Sequence, residues 1–314
     1  SRLDFAYTGK KCISWQISVC LDFSRKEVVE YIYEMMAKIL SEAKVSYIKW
    51  DMNRSITECY SVALPADRQG EVFHRYILGV YDLYERLTSE FPEVLFESCS
   101  SGGGRFDPGM LYYAPQGWTS DDSDAIERLK IQYGTSLCYP ISSMGSHVSV
   151  IPNHQVFRKT PLHTRANVAY FGTFGYELDL NSLKEEEIAE VKEQIIFMKK
   201  YRKLFQFGDF YRLKSPFEGN ETIWMVVSED KKTAIVGYYR TLNGVNQAYS
   251  RIKLQGLDPD MLYENILNKT ENYGDELMNF GLITTDVTAG EVPGDATPCT
   301  DFESRIYILK AKEK

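Results

Sequence analysis

No run of about eighteen apolar residues occurs in this 314-residue chain, so nothing in it reads as a membrane-spanning helix. Its six cysteines (Cys12, Cys20, Cys59, Cys99, Cys138 and Cys299) have neither CxxC spacing nor the density of a disulfide scaffold, which points to a reducing, cytoplasmic setting. Histidine is scarce: His147, His154 and His163 cluster, but none is paired at i, i+4 on a recognisable helix and no cysteine or carboxylate completes a set, so no metal is expected. Lysine and arginine number 36 against 44 acidic residues, a net charge of −8, and an acidic surface argues against nucleic acid or an anionic membrane as partner. The chain opens on Ser1 with neither methionine nor signal peptide, so it reads either as cut from something longer or as lacking its true start.

What is present suffices for one large domain and a smaller one. Residues 1–20 show no clear period. Ser24-Arg25-Lys26-Glu27 reads as a capping box ahead of Val28, Val29, Ile32, Met35, Met36, Ile39 and Leu40 at helical spacing. Val45 to Trp50 reads as a short buried strand, and Val72, Phe73, Tyr76, Ile77, Val80 and Tyr84 mark a second helix that ends near Pro92. Then follow a strand from Val94, a helix from Ala125 to Tyr133, an irregular stretch from Tyr139 to Val150, a helical stretch with Arg165, Val168 and Ala169, a strand at Phe174–Asp179 and a long helix from Glu185 to Phe205. Strands ending in polar tips number about five, near Asp51, Cys99, Asp121, His147 and Glu177, which is the order of consecutive βα units of a parallel barrel with units missing at the N-terminus. After Gly208 the period shortens to that of strands separated by turn signals, so residues 1–208 read as a partial barrel and 209–314 as an all-β sandwich.

Two stretches carry chemistry. In Lys49-Trp50-Asp51, an ammonium and a carboxylate two residues apart share a strand face, and a carboxylate at the C-terminal end of such a strand is where a parallel barrel keeps its chemistry. A structural Lys-Asp pair is the other reading. In Trp118-Thr119-Ser120-Asp121-Asp122-Ser123-Asp124, Asp124 can cap the following helix, which leaves Asp121 and Asp122 without a structural duty. Two carboxylates on two strand ends are the minimal equipment for retaining glycoside hydrolysis, with the carboxyl groups roughly 5 to 5.5 Å apart. Between them, Gly102-Gly103-Gly104 lets backbone approach a ligand, although the ending of a phosphate loop is absent. Cys99 reads equally as a buried small hydrophobe.

Three motifs, Lys49-Trp50-Asp51-Met52-Asn53-Arg54, Glu97-Ser98-Cys99-Ser100-Ser101-Gly102-Gly103-Gly104-Arg105-Phe106-Asp107, and Trp118 to Ala125 with Arg128-Leu129-Lys130-Ile131-Gln132, resemble the bacterial α-galactosidases of glycoside hydrolase family 36. The resemblance runs from about Leu21 to the C-terminus. It implies the C-terminal portion of a (β/α)8 (TIM) barrel, about strands 4 to 8, followed by a C-terminal β-sandwich. It further implies hydrolysis of terminal α-D-galactosyl residues of melibiose- or raffinose-type sugars, with Asp51 as nucleophile and Asp121 as acid/base, Asp122 being the reserve for the acid. Lys49, Cys99, Gly102 and Trp118 are implied as galactose contacts, no cofactor is implied, and the full-length proteins tend to form homo-oligomers. The family carries a large N-terminal β-sandwich, the first barrel strands and an Arg-Asn-Gln run before Leu21, where this chain has Gln16-Ile17-Ser18. A galactosyl transferase of the raffinose-synthase kind and a catalytically inactive fragment are the alternative expectations.

Overall fold

The computed structural model describes residues 20–57, 59–245, 250–284 and 301–312, so Cys12, Cys299, the Gln16-Ile17-Ser18 comparison and the unassigned N-terminal stretch up to residue 19 lie outside the described residues. The chain forms two compact units, Ser1–Trp118 and Thr119–Lys314. Among the described residues no helix is long and apolar enough to cross a membrane.

The first unit runs α1 (Lys26–Glu42), β1 (Tyr47–Asp51), α2 (Val72–Glu90), β2 (Leu95–Cys99), α3 (Pro108–Tyr113) and β3 (Gln116–Gly117), with the strands parallel in the order β1-β2-β3. Alternation along the strands sorts their side chains. Ile48, Trp50 and Phe96 turn to α1 and α2, where Trp50 and Phe96 lie 4.8 and 5.6 Å from the Tyr84 ring among Val80, Leu83 and Leu87. Tyr47, Lys49, Asp51, Glu97 and Cys99 are therefore left for the opposite face.

Two expectations need correcting. The strand holding Asp51 is not buried: its residues alternate between exposed and half-buried, because among the described residues it pairs with β2 alone. The capping box at Ser24 does not form. The Ser24 backbone N–H and hydroxyl both donate to Asp22, a stronger acceptor two residues away, and Arg25 holds Glu27 at 2.8 Å, so α1 starts without a side-chain cap.

Gly79 in α2 shows how tightly the unit is packed, since a Cβ there would lie 1.9 Å from the Phe23 carbonyl oxygen. Gly79→Ala is expected to destabilise by about 1 to 3 kcal/mol, the usual cost of overpacking. A lower urea midpoint at unchanged m-value is the expected reading. An unchanged midpoint would mean that the Phe23 backbone can move away at no cost.

The second unit begins with α4 (Ala125–Thr135), β4 (Gly145–Ser149), α5 (Leu162–Ala169), β5 (Thr173–Glu177) and α6 (Glu185–Phe207), β4 and β5 being parallel with His147 opposite Gly175. The strand expected near His147 is thus β4, inside the stretch otherwise read as irregular. Then come β6 (Asp209–Lys214), β7 (Glu221–Val227), β8 (Thr233–Arg240), β9 (Arg251–Ile252), β10 (Leu262–Asn265), β11 (Glu271–Tyr273), α7 (Gly274–Asn279), β12 (Leu282–Ile283) and β13 (Glu303–Ala311). Six strands form one antiparallel sheet in the order β11-β10-β13-β8-β7-β6, and β12 pairs with β9. Every residue of β7 is buried, which requires cover on both faces. Ile223, Met225 and Val227 pack with Ile252, Leu277 and Leu282, so the small sheet and α7 cover one side. Trp224 on the other side meets Phe171 at 5.5 Å, and Phe171 meets Phe205 of α6 at 5.1 Å. Among the described residues, the sandwich's second layer is thus two short strands and a helical turn.

Helix α5 is tied to β13 through polar groups. His163 meets Glu303 at 3.0 Å, the Thr164 hydroxyl donates to the Phe302 carbonyl at 2.8 Å, and Arg305 also pairs with Glu303. Burial opposes charge on Glu303, but the His163 hydrogen bond and the Arg305 and His163 charges outweigh it and hold the carboxyl down at about 2. A lowered carboxyl contributes stability that is complete above its unfolded value and is lost as pH falls through the folded one. Glu303→Gln is therefore expected to lower stability at pH 7 by up to about 3 kcal/mol and to flatten the acid limb between about pH 4.5 and 2. Urea midpoints of both proteins across pH 2 to 7 measure this, and parallel curves would refute it.

Candidate active site

Strand β1 ends at Asp51, and the register sets Asp51 opposite Cys99 and Lys49 opposite Glu97. The exit from the strand is fastened to the glycine loop. Asn53 donates from Nδ2 to Asp51 at 2.7 Å and accepts at Oδ1 from the Ser101 backbone N–H at 2.7 Å, so one amide orients the carboxylate and the loop together. The Ser100 hydroxyl donates to the Met52 carbonyl at 2.7 Å, and Arg105 donates to both Met52 and Ser100. Gly102 has φ of +75°, a conformation that glycine adopts without a Cβ penalty, directly after Ser101 at +46°. This turn brings the Gly102 carbonyl to the Ser100 N–H at 3.0 Å. Asp107 then caps α3, accepting from the Gly109 and Met110 N–H groups.

Cys99 is buried, and its thiol is pushed up to about 11, first by desolvation and further by the neighbouring Asp51 carboxylate. It is therefore a neutral thiol at pH 7, a donor beside Asp51 and a poor nucleophile. Trp118 is buried just past β3, its N–H donating to the Ser98 carbonyl at 3.0 Å. The Lys49 ammonium stands 5.3 Å from the centre of its ring. In the first unit, Lys49, Asp51, Cys99, Gly102 and Trp118 thus gather at the C-terminal end of the β1-β2-β3 sheet. Asn53, absent from the expected set, belongs with them; its place two residues beyond Asp51 was the available signal.

The pairing of Lys49 with Asp51 is revised. Lys49 forms its ion pair with Glu97, at 3.7 Å, because Glu97 is its cross-strand register neighbour. Glu97 was absent from the expected set, and the signal was there: a carboxylate in the middle of Leu95-Phe96-Glu97-Ser98-Cys99, a strand of which all but Leu95 is buried.

In the second unit, Asp124 is the N-cap of α4, accepting from the Ile126 and Glu127 N–H groups at 3.0 and 3.1 Å. Arg158 pairs with Asp124 and, at 3.3 Å, with Glu127. Asp122 does have a structural duty, accepting from the Asp124 N–H at 3.0 Å. Beneath the loop, buried Arg128 donates to the Ser120 and Gly145 carbonyls at 3.3 and 2.6 Å, and burial pulls its guanidinium down to about 10. Asp121 alone is exposed at the tip, with no hydrogen-bond partner among the described residues. His147 faces Glu177 at 3.4 Å, whereas His163 faces Glu303.

A family model described as Melibiase matches residues 9–208, and one described as the glycosyl hydrolase family 36 C-terminal domain matches residues 221–309. The α-galactosidase AgaA of Geobacillus stearothermophilus is 56% identical over 94% of this chain and 39% of its own length. A solved structure of a doubly substituted variant of that enzyme in complex with raffinose aligns with a TM-score of 0.91 at 49% identity, covering 98% of this chain and 42% of that one. The α-galactosidase structure from Lactobacillus brevis aligns with a TM-score of 0.93 at 48% identity, over 99% of this chain and 42% of that one. The chain thus spans about two fifths of the length of the relatives it matches. Its fold class is that of these proteins, part of a TIM-barrel catalytic domain followed by a C-terminal β domain.

Proposed function

The chain belongs to the melibiase-type family 36 glycoside hydrolases, and on that premise we propose that it carries catalytic residues of a retaining α-galactosidase acting on terminal α-galactosyl residues of raffinose-type sugars. The observation that carries the reading is the setting of Asp51. Its carboxylate ends a parallel strand, is oriented by Asn53, and has the Cys99 thiol beside it, with Lys49 and Trp118 on the same sheet end.

In this reading Asp51 attacks the anomeric carbon while Asp121, in its acid form, donates a proton to the departing glycosidic oxygen. Asp121 then takes a proton from water as it opens the galactosyl-enzyme ester. Lys49, Cys99 and the Gly102 backbone would contact the sugar hydroxyls, and Trp118 would offer its ring to an apolar sugar face. No step calls for a cofactor. We keep residues 1–208 as barrel and 209–314 as β domain, a division supported by the two family models falling on either side of it. A reducing, cytoplasmic location is supported by the described cysteines, none of which is in a disulfide. A homo-oligomer of the full-length protein remains part of the proposal.

Proton NMR of raffinose incubated with this chain tests the reading. Release of galactose first as the α-anomer supports a retaining hydrolase, and β-galactose first would refute retention. With an aryl α-galactoside as donor, galactose moved onto added sucrose rather than onto water would instead favour the transferase, although these relatives are named α-galactosidases.

A further inference from the structure

We propose that Glu97 is the positioning residue for Lys49: a buried carboxylate whose role is to hold the Lys49 ammonium against Trp118 at the end of the sheet that carries Asp51. The proposal rests on the galactoside reading for what Lys49 would then contact, but its geometric part stands on the first unit alone.

The argument starts from burial. Glu97 is 3% exposed, and a carboxylate so placed is costly unless each oxygen is compensated. The two oxygens are treated differently. Oε2 accepts from the Tyr47 hydroxyl and from Gln116 Nε2, the latter at 2.8 Å. Desolvation and the contact with Glu97 push the Tyr47 phenol above its ordinary value, so Tyr47 remains a donor there. Oε1 is buried and has no hydrogen-bond partner among the described residues. Its one cation among them is Lys49, 3.7 Å away.

The constraint therefore runs in one direction. Tyr47 and Gln116, from the strands on either side, fix the carboxylate, and its remaining oxygen then fixes the ammonium. Lys49 is 42% exposed in its side chain and would otherwise sample several rotamers. Held by Glu97, it stays 5.3 Å from the Trp118 ring and on the face shared with Asp51 and Cys99. Glu97 need not touch a sugar to matter.

The test is a double-mutant cycle on the full chain with Glu97→Gln, Lys49→Met and both together. Glutamine keeps the shape and can still accept from Tyr47, and urea midpoints of all four proteins show that each is folded. Tryptophan emission and galactose binding by calorimetry are then measured. The expected result is an emission change on Glu97→Gln that disappears in the Lys49→Met background, with galactose affinity about tenfold weaker in Glu97→Gln and no weaker in the double variant than in Lys49→Met alone. Equal emission changes in both backgrounds would overturn the proposal, because Glu97 would then be acting independently of Lys49. So would unchanged galactose affinity in Glu97→Gln. A parent chain that binds no galactose while the emission cycle behaves as expected removes the galactoside reading and leaves the Glu97–Lys49 coupling supported.

Discussion

Nitrophenol release from an aryl α-galactoside is expected to fall on the order of 10⁴-fold in Asp51→Asn, the scale seen when a nucleophile or its partner is removed. The substitution is nearly isosteric, and the side-chain carbonyl can still accept from Asn53 Nδ2 at the present 2.7 Å, so the strand exit and the glycine loop should keep their arrangement. What disappears is the anionic oxygen that forms the galactosyl ester. Neither Cys99 nor Lys49 can substitute for it. The Cys99 thiol, pushed up to about 11, is un-ionised at pH 7, and Lys49 is engaged with Glu97. A residual rate within tenfold of the parent would show that Asp51 is not the nucleophile. Release by neither protein would leave family membership intact and withdraw the activity proposed for this chain.

How far the site could be read in advance depended on how local its determinants are. Asp124 was legible as a cap because its acceptors' partners lie two and three residues on. Ser24 was misread although its competitor, Asp22, is just as near, since a capping box looks only forward along the chain. The Lys49 partner was misassigned for a different reason. Strand alternation puts Asp51 and Lys49 on one face, but the decisive neighbour lies across the ladder, 48 positions along the chain. Only pairing register reveals it. The fold followed the same rule: long amphipathic helices such as α2 and α6 fell close to their expected bounds, while β11 and β12, three and two residues long, exist only through their partners. The contiguous motifs gave the family because they hold the loop-forming residues in sequence order.

Asp121 and Asp122 should separate by leaving group. For a sugar leaving group, whose alkoxide is strongly basic, loss of the acid is expected to cost about 10³-fold, within the usual range for general acid catalysis. A nitrophenolate departs without a proton, so its first-step rate in Asp121→Ala should fall far less, giving a burst followed by slow turnover as the galactosyl-enzyme waits for a general base. Raffinose hydrolysis and nitrophenol bursts measured side by side on Asp121→Ala and Asp122→Asn decide the assignment. Asp122→Asn keeps a carbonyl able to accept the Asp124 N–H, and the α4 cap and the Arg128 anchor beneath it are untouched, so both rates should stay within about tenfold of the parent, an effect of loop support and not of proton donation. If Asp122→Asn instead shows the large raffinose loss with an intact nitrophenol burst while Asp121→Ala resembles the parent, the proton donor is Asp122, and its hydrogen bond to the cap would then be a means of aiming it.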